Sequence, residues 1–241
     1  MHLDPLHQFL ISTLMPFSVS GIDISFTNSS AFMLLSVISI VSLFFLALRA
    51  PKLCPGRIQM TTEILFVFIR DTLESCVGKR GFVHFPLILS LFLFILCGNI
   101  FGLLPGAFTF TSHIIVTGFL AFVVFGIVIV VAFTHQGFGF FKRFLPPGVP
   151  GPIIPLIIPI EIISYLIRPL TLSIRLFANM LAGHMILKIF ASFIVMMGFW
   201  GILPLALNVV FIGFECFVAV LQAYIFTILS CAYLNDALES H

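Results

Sequence analysis

The sequence predicts an all-α membrane protein of about five to six helices. One of these is an amphipathic interfacial helix, and two long, tilted or near-horizontal C-terminal helices form a hairpin. Three observations predict this class. Apolar residues make up 61% of the 241 positions and charged residues only 8%, against about 45–50% and about 25% in an ordinary soluble domain. Mean hydropathy is +1.24. The apolar residues gather into runs close to or beyond the roughly twenty that cross the hydrocarbon layer of a bilayer.

The whole chain, 1–241, reads as one integral membrane domain. Residues 1–30 form an outer-side N-terminal segment. They carry Asp4, Pro5, Pro16 and Asp23 and no basic stretch, so they do not read as a cleavable signal, and the first apolar helix is expected to direct insertion. Residues 31–48 (AFMLLSVISIVSLFFLAL) are the first span, preceded by the cap-forming Thr27-Asn28-Ser29-Ser30. Residues 58–77 differ in character: Glu63, Arg70, Asp71 and Glu74 are set against Ile64, Leu65, Val67, Phe68, Ile69 and Leu73. That pattern predicts an amphipathic helix lying at the interface.

Residues 85–105 and 113–134 are the second and third spans. The segment 138–152 (FGFFKRFLPPGVPGP) is a loop, because its prolines and glycines cannot propagate a helix. Residues 153–200 and 204–234 are both longer than a perpendicular span requires. They predict two long tilted helices joined near Gly201–Pro204.

Charge placement predicts orientation. Arg49, Lys52, Arg57, Lys79 and Arg80 separate the first two spans, and Lys142 and Arg143 follow the third. Alternate threading puts all seven on one side, which marks that side as the inside and places the N-terminus outside. The net charge of +2 and the lack of a basic run exclude a nucleic-acid binder. Cys54, Cys76, Cys97, Cys216 and Cys231 show no C-x-x-C spacing, so they read as small buried residues rather than metal ligands or disulfides. No G-x-x-x-x-G-K-[ST] loop is present, so no nucleotide site is expected in this chain. No cofactor is expected either.

The informative residues are charges in apolar surroundings. Arg175 lies inside SIRLFANMLAGH (173–184). A guanidinium stays protonated at any biological pH, and placing one at bilayer depth costs about 2.5–3.5 kcal/mol on insertion scales. A partner or a task must justify it. The remaining ionisable groups of this region are Glu161, Arg168, His184, Lys188 and Glu215.

At 100° per residue, Glu161, Arg168 and Arg175 share one helical stripe, with Asn179 one turn further on. His184 points to nearly the opposite side, about 13 Å along the axis from Arg175. Glu215 and Gln222 share a face of the last helix. In an antiparallel hairpin about Gly201–Pro204, these residues form two layers. His184 and Glu215 make one nearer the outside, and Arg175, Asn179 and Gln222 make one deeper.

Glu215 and His184 can both change protonation near neutral pH when burial shifts them, as a proton path requires. Arg175 cannot relay a proton, but it can attract a carboxylate or block passage. Glu161 is a further titratable group on the inner side of Arg175. Titratable groups on both sides of a permanent cation describe two half-paths separated by a barrier. Plainer readings stand beside these. Glu215 paired with Arg175 or Lys188 can simply hold the hairpin, Arg168 beside Pro169 can be structural, and Lys188 can snorkel. Asn179 and Gln222 can be interhelical hydrogen-bond glue, or can face outward together with Arg175. Gly98 and Gly102 form a small-xxx-small packing face.

RLFANMLAGH (175–184) and GFECFVAVLQAYIFTILSCAYLND (213–236) closely resemble the subunit a family of F-type ATP synthases. GNIFGLLPGAFTFTSHI (98–114), PIEIISYLIRPLTLSIR (159–175) and GIDISFTNSS (21–30) extend the resemblance over essentially the whole chain. R-L-x-x-N-x-x-A-G and Q-A-Y-I-F are highly specific to it.

The resemblance implies a non-catalytic, proton-translocating stator subunit of a rotary ATP synthase, with inlet and outlet half-channels that load and unload c-ring carboxylates. It implies that Arg175 faces those carboxylates and is the barrier, with His184 and Glu215 as a shared proton relay; the spacing adds Asn179, Gln222 and Glu161 as candidates along the proton path. Some members exchange the residues at 184 and 215; His184 with Glu215 is similar to alphaproteobacterial and mitochondrial members. Implied partners are the c-subunit ring, the subunit b peripheral stalk, the other ATP synthase subunits and membrane lipids. The implied location is a bacterial inner membrane or, alternatively, a mitochondrial one. From the residues alone, a stand-alone proton-coupled secondary transporter is the competing class, against which stands the lack of an inverted repeat. A structural assembly subunit is a third class.

Overall fold

The computed structural model describes residues 11–16, 18–19, 22–23, 25–49, 52–104, 106–137 and 153–238. Six helices lie within them: α1 (Asn28–Leu48), α2 (Arg57–Val77), α3 (Phe85–Gly102), α4 (Ile114–Gln136), α5 (Ile154–Met197) and α6 (Ile202–Leu238). The all-α membrane class is borne out, with five helices long and apolar enough to cross a bilayer. The predicted loop 138–152 falls outside the described residues.

Local chemistry sets the element ends. α1 starts earlier than the predicted span because Thr27 caps it. Its Oγ1 accepts the Ser30 backbone N–H at 3.4 Å, and Ser30 Oγ accepts the Thr27 N–H at 2.9 Å. This reciprocal box satisfies two donors that the first turn leaves open. α4 ends at Gly137, whose φ of +54° is a left-handed value that favours glycine. Before α1, Thr13–Met15 (β1) pairs antiparallel with Phe26–Thr27 (β4), and Ser18–Val19 (β2) with Ile22–Asp23 (β3). These strands leave no sequence signal, because ladders of two or three residues carry no alternation to read.

α5 runs unbroken for 44 residues through Pro159 and Pro169, and α6 for 37. At 1.5 Å per residue they are about 66 Å and about 55 Å long, well beyond a hydrocarbon layer of about 30 Å. Neither can stand upright in a bilayer. A single 3₁₀ turn, Gly198–Gly201, joins them into the predicted hairpin.

α6 is the centre of the bundle. It packs on α5, α4, α3 and α2, whereas α1 lies outside against α2 and α3. The core draws Ile69 and Leu73 from α2, Ile95 from α3, Ala132 from α4, Leu176 and Met180 from α5, and Ala223 and Phe226 from α6. Many large apolar side chains stay exposed, among them Val41, Phe45, Phe119, Val209 and Phe217, as a lipid-facing surface requires.

The glycines of α3 pack as predicted, but against a loop rather than a second helix. A Cβ on Gly98 would run into the Phe110 ring, and one on Gly102 into the Thr109 side chain. Both glycines therefore admit the buried segment Ala107–Ser112, which connects α3 to α4. Gly98→Val is expected to displace Phe110 and destabilise the purified protein by about 1–3 kcal/mol. Thermal unfolding in detergent checks this, and an unchanged midpoint would contradict the packing described.

Candidate functional site

The α5–α6 hairpin places its polar residues in layers, paired at similar distances from the 198–201 turn. Nearest the turn, Phe190 and Phe211 stack with ring centroids 5.1 Å apart. Next, His184 Nδ1 lies 3.1 Å from Glu215 Oε1, with both side chains buried. Between one and two turns deeper, Asn179 Nδ2 donates to Gln222 Oε1 at 2.8 Å. At the open end, Arg168 forms a 2.7 Å ion pair with Asp236, and its guanidinium lies over the Tyr165 and Tyr233 rings. The His184–Glu215 layer expected from the spacing is thus present, and of the expected deeper layer Asn179 and Gln222 are paired while Arg175 stands apart.

The His184–Glu215 contact is close, but it does not run along the ring N–H. Neither Glu215 carboxyl oxygen completes a hydrogen bond among the described residues. A small residue makes the approach possible: a Cβ at Gly183 would sit 2.6 Å from Glu215 Oε1. On its other edge, His184 Nε2 is 2.7 Å from Thr109 Oγ1. Lys188, one turn further along α5, is within electrostatic reach of His184.

Arg175 sits between these pairs and is exposed. It makes no ion pair or hydrogen bond among the described residues. With Asn179, Glu215 and Gln222 it lines an open groove of about 340 Å³, otherwise walled mainly by apolar residues such as Ile186, Phe211, Phe214 and Ile225.

Two expectations change. Gln222 does not turn outward with Arg175: it is fully buried and takes the hydrogen bond of Asn179. Its stripe on α6, with Glu215, Ala219 and Phe226, is the face that this chain's own helices cover. Glu161 is half-buried on α5 and joins neither layer, with no ion pair or hydrogen bond among the described residues.

Several polar residues at the site had gone unassigned. Thr109 reaches His184 from the α3–α4 loop, Asn99 of α3 donates to the Ala219 carbonyl at 3.1 Å, and Asp236 holds Arg168. The signal for Thr109 was there in the hydroxyl run of FTFTS, whose Thr109, Thr111 and Ser112 are all buried. Among the described residues, no three His, Cys, Asp or Glu side chains gather to hold a metal.

Comparison with known proteins decides the relationship. The family described as ATP synthase A chain matches residues 30–235. The chain belongs to the ATP synthase A chain family. It is 48% identical to ATP synthase subunit a of Rhodospirillum rubrum over 242 residues, covering 100% of both chains. It is 50% identical to that of Hyphomonas neptunium over 245 residues, covering 99% of this chain and 97% of the relative. It is 48% identical to that of Chelativorans sp. (strain BNC1) over 246 residues, covering 99% of each. The ATP synthase A chain match contains all the polar layers of the hairpin except the outermost carboxylate, Asp236.

Gly183→Ala tests how tightly the buried pair is held. The added methyl is expected to push the Glu215 carboxyl away and widen its contact with His184 beyond about 4 Å, the limit of an ion pair. A structure of the variant checks this, and an unchanged 3.1 Å contact would contradict it.

Proposed function

We propose that this chain is the stator through which an ATP synthase passes protons, and that Arg175 is the barrier between two half-channels. Membership of the family makes it a multi-pass, non-catalytic membrane subunit that works with other ATP synthase subunits. The finer reading rests chiefly on one observation. Arg175 is exposed on a hairpin that must lie in the bilayer, and no group among the described residues pairs with it. A permanent cation facing lipid is costly, and Glu215, the buried carboxyl group that lines the same groove, is turned to His184. Its counter-charge then comes from another chain, as a carboxylate carried at mid-membrane on each subunit of a c-ring.

The proton enters from the outside through His184 and Glu215, where a titratable carboxyl borders both the histidine and the groove. It passes from Glu215 to a ring carboxylate across the groove. Arg175 holds the deprotonated ring carboxylate and denies a direct route to the inner half-channel, for which Glu161 is the candidate group. The Asn179–Gln222 hydrogen bond fixes the groove floor beside Arg175. The Arg175 contact must stay wet and transient, because a tight desolvated pair would arrest rotation. One charge crossing 100 mV releases about 2.3 kcal/mol, so several protons per ATP, and hence a multi-site ring, are required. The chain lies in a bacterial inner membrane with its N-terminus outside, following the Lys and Arg distribution, and the subunit b stalk holds it still.

Phe214 lines the groove and is 62% exposed, which makes it the better reporter than buried Gln222. A Phe214→Cys variant is expected to cross-link to a cysteine on the ring's outer helix and to block turnover until reduced. Failure to cross-link to the ring, with cross-links only to lipid-facing sites elsewhere, would contradict the groove as the ring-facing surface.

A further inference from the structure

We propose that Thr109 is a positioning residue for proton transfer, holding His184 with its proton on Nε2 so that Nδ1 presents its lone pair toward Glu215. This rests on the reading of His184 and Glu215 as the relay. Thr109 is buried, 2% exposed, in the loop between α3 and α4. Its position is fixed on both sides: Gly102 leaves room for it, and Ser112 Oγ donates to its carbonyl at 2.6 Å.

The hydroxyl has two neighbours and one proton. Its oxygen is 3.3 Å from the Gly102 carbonyl, to which it donates, and 2.7 Å from His184 Nε2. A carbonyl can only accept. Both contacts are satisfied together only when the hydroxyl proton points to Gly102 and Nε2–H donates to the hydroxyl oxygen. In the neutral ring that leaves Nδ1 bare, 3.1 Å from Glu215 Oε1.

A bare Nδ1 and an ionised carboxylate are both acceptors, so one proton between them satisfies the pair once the Glu215 carboxyl turns onto the Nδ1 axis, from which it is offset at 3.1 Å in the resting geometry. When Glu215 is protonated, its O–H bond breaks as an Nδ1–H bond forms, giving a carboxylate and an imidazolium. Thr109 keeps accepting from Nε2–H and so stabilises the cation. The reverse step returns the proton to Glu215. If Nδ1 carried the hydrogen instead, the ring could not accept from Glu215. Among the described residues, the charged or titratable groups that face His184 include Glu215 from α6 and Lys188 on α5 itself. Residues 98–134 of α3, the loop and α4 hold no Asp, Glu, Lys or Arg, and their one histidine, His113, is stacked on Phe108.

The test uses the complete ATP synthase in membrane vesicles. ATP-driven proton uptake per assembled complex is measured against pH for Thr109→Val, Thr109→Ser and Glu215→Gln. Valine keeps the shape and removes the acceptor. Its rate is expected to fall about tenfold, with the acid limb of the pH profile moving down by about one unit, the scale of a lost hydrogen bond to a charged group. Serine is expected to restore both to near the wild-type values. A Thr109→Val complex with wild-type rate and profile would overturn the proposal. So would a slowed complex with an unshifted profile, or serine failing to rescue. If Glu215→Gln pumps normally, the relay reading falls and takes the proposal with it. If Glu215→Gln is impaired while Thr109→Val is unaffected, the assignment of Thr109 alone falls.

Discussion

A guanidinium in a low-dielectric layer needs a negative charge or water beside it, and Arg175 finds neither an ion pair nor a hydrogen bond among the described residues. Much of the hairpin can be understood from that constraint. A second arginine of α5, Arg168, is neutralised by Asp236 and covered by two tyrosine rings. The one buried carboxyl of α6, Glu215, is turned to His184. With both accounted for, Arg175 lines the groove with no ion pair among the described residues.

Length turns this local imbalance into a surface. Helices of about 66 Å and about 55 Å cannot stand across about 30 Å of hydrocarbon, so α5 and α6 present long flanks instead of ends. Their antiparallel register sets the polar layers one above another, from the Phe190–Phe211 stack at the turn to the Arg168–Asp236 pair at the open end. α3 and its following loop press on the opposite side of this hairpin, where Asn99 bonds the Ala219 carbonyl and Thr109 reaches His184. The buried pair thus has a loop hydroxyl on one side and an open groove on the other.

Much of this was legible in the sequence, and the reasons are physical. Hydropathy runs located the spans because a bilayer imposes length directly. Thr27 and Ser30 announced α1 because capping is a contact between near neighbours. The His184–Glu215 and Asn179–Gln222 layers followed from helical period plus a hairpin turn. The spacing fixed which residues share a face, but not which neighbour covers it, and so the outward reading of Gln222 failed. Contacts such as Thr109–His184, Asn99–Ala219 and Arg168–Asp236 join distant parts of the chain through tertiary packing, which has no local period. The short strands before α1 were invisible for a different reason, being too brief to show alternation.

The most direct test of the central claim is to remove the guanidinium and measure coupling. In vesicles carrying the Arg175→Ala complex, assembly is expected to survive, since the side chain is exposed rather than part of the core. ATP-driven pumping and proton-driven ATP synthesis should be abolished. Arg175→Lys should fail as well, because a compact ammonium lacks the planar fork and can lose its proton when desolvated. Coupled ATP synthesis at the wild-type rate in the Arg175→Ala complex would contradict the account.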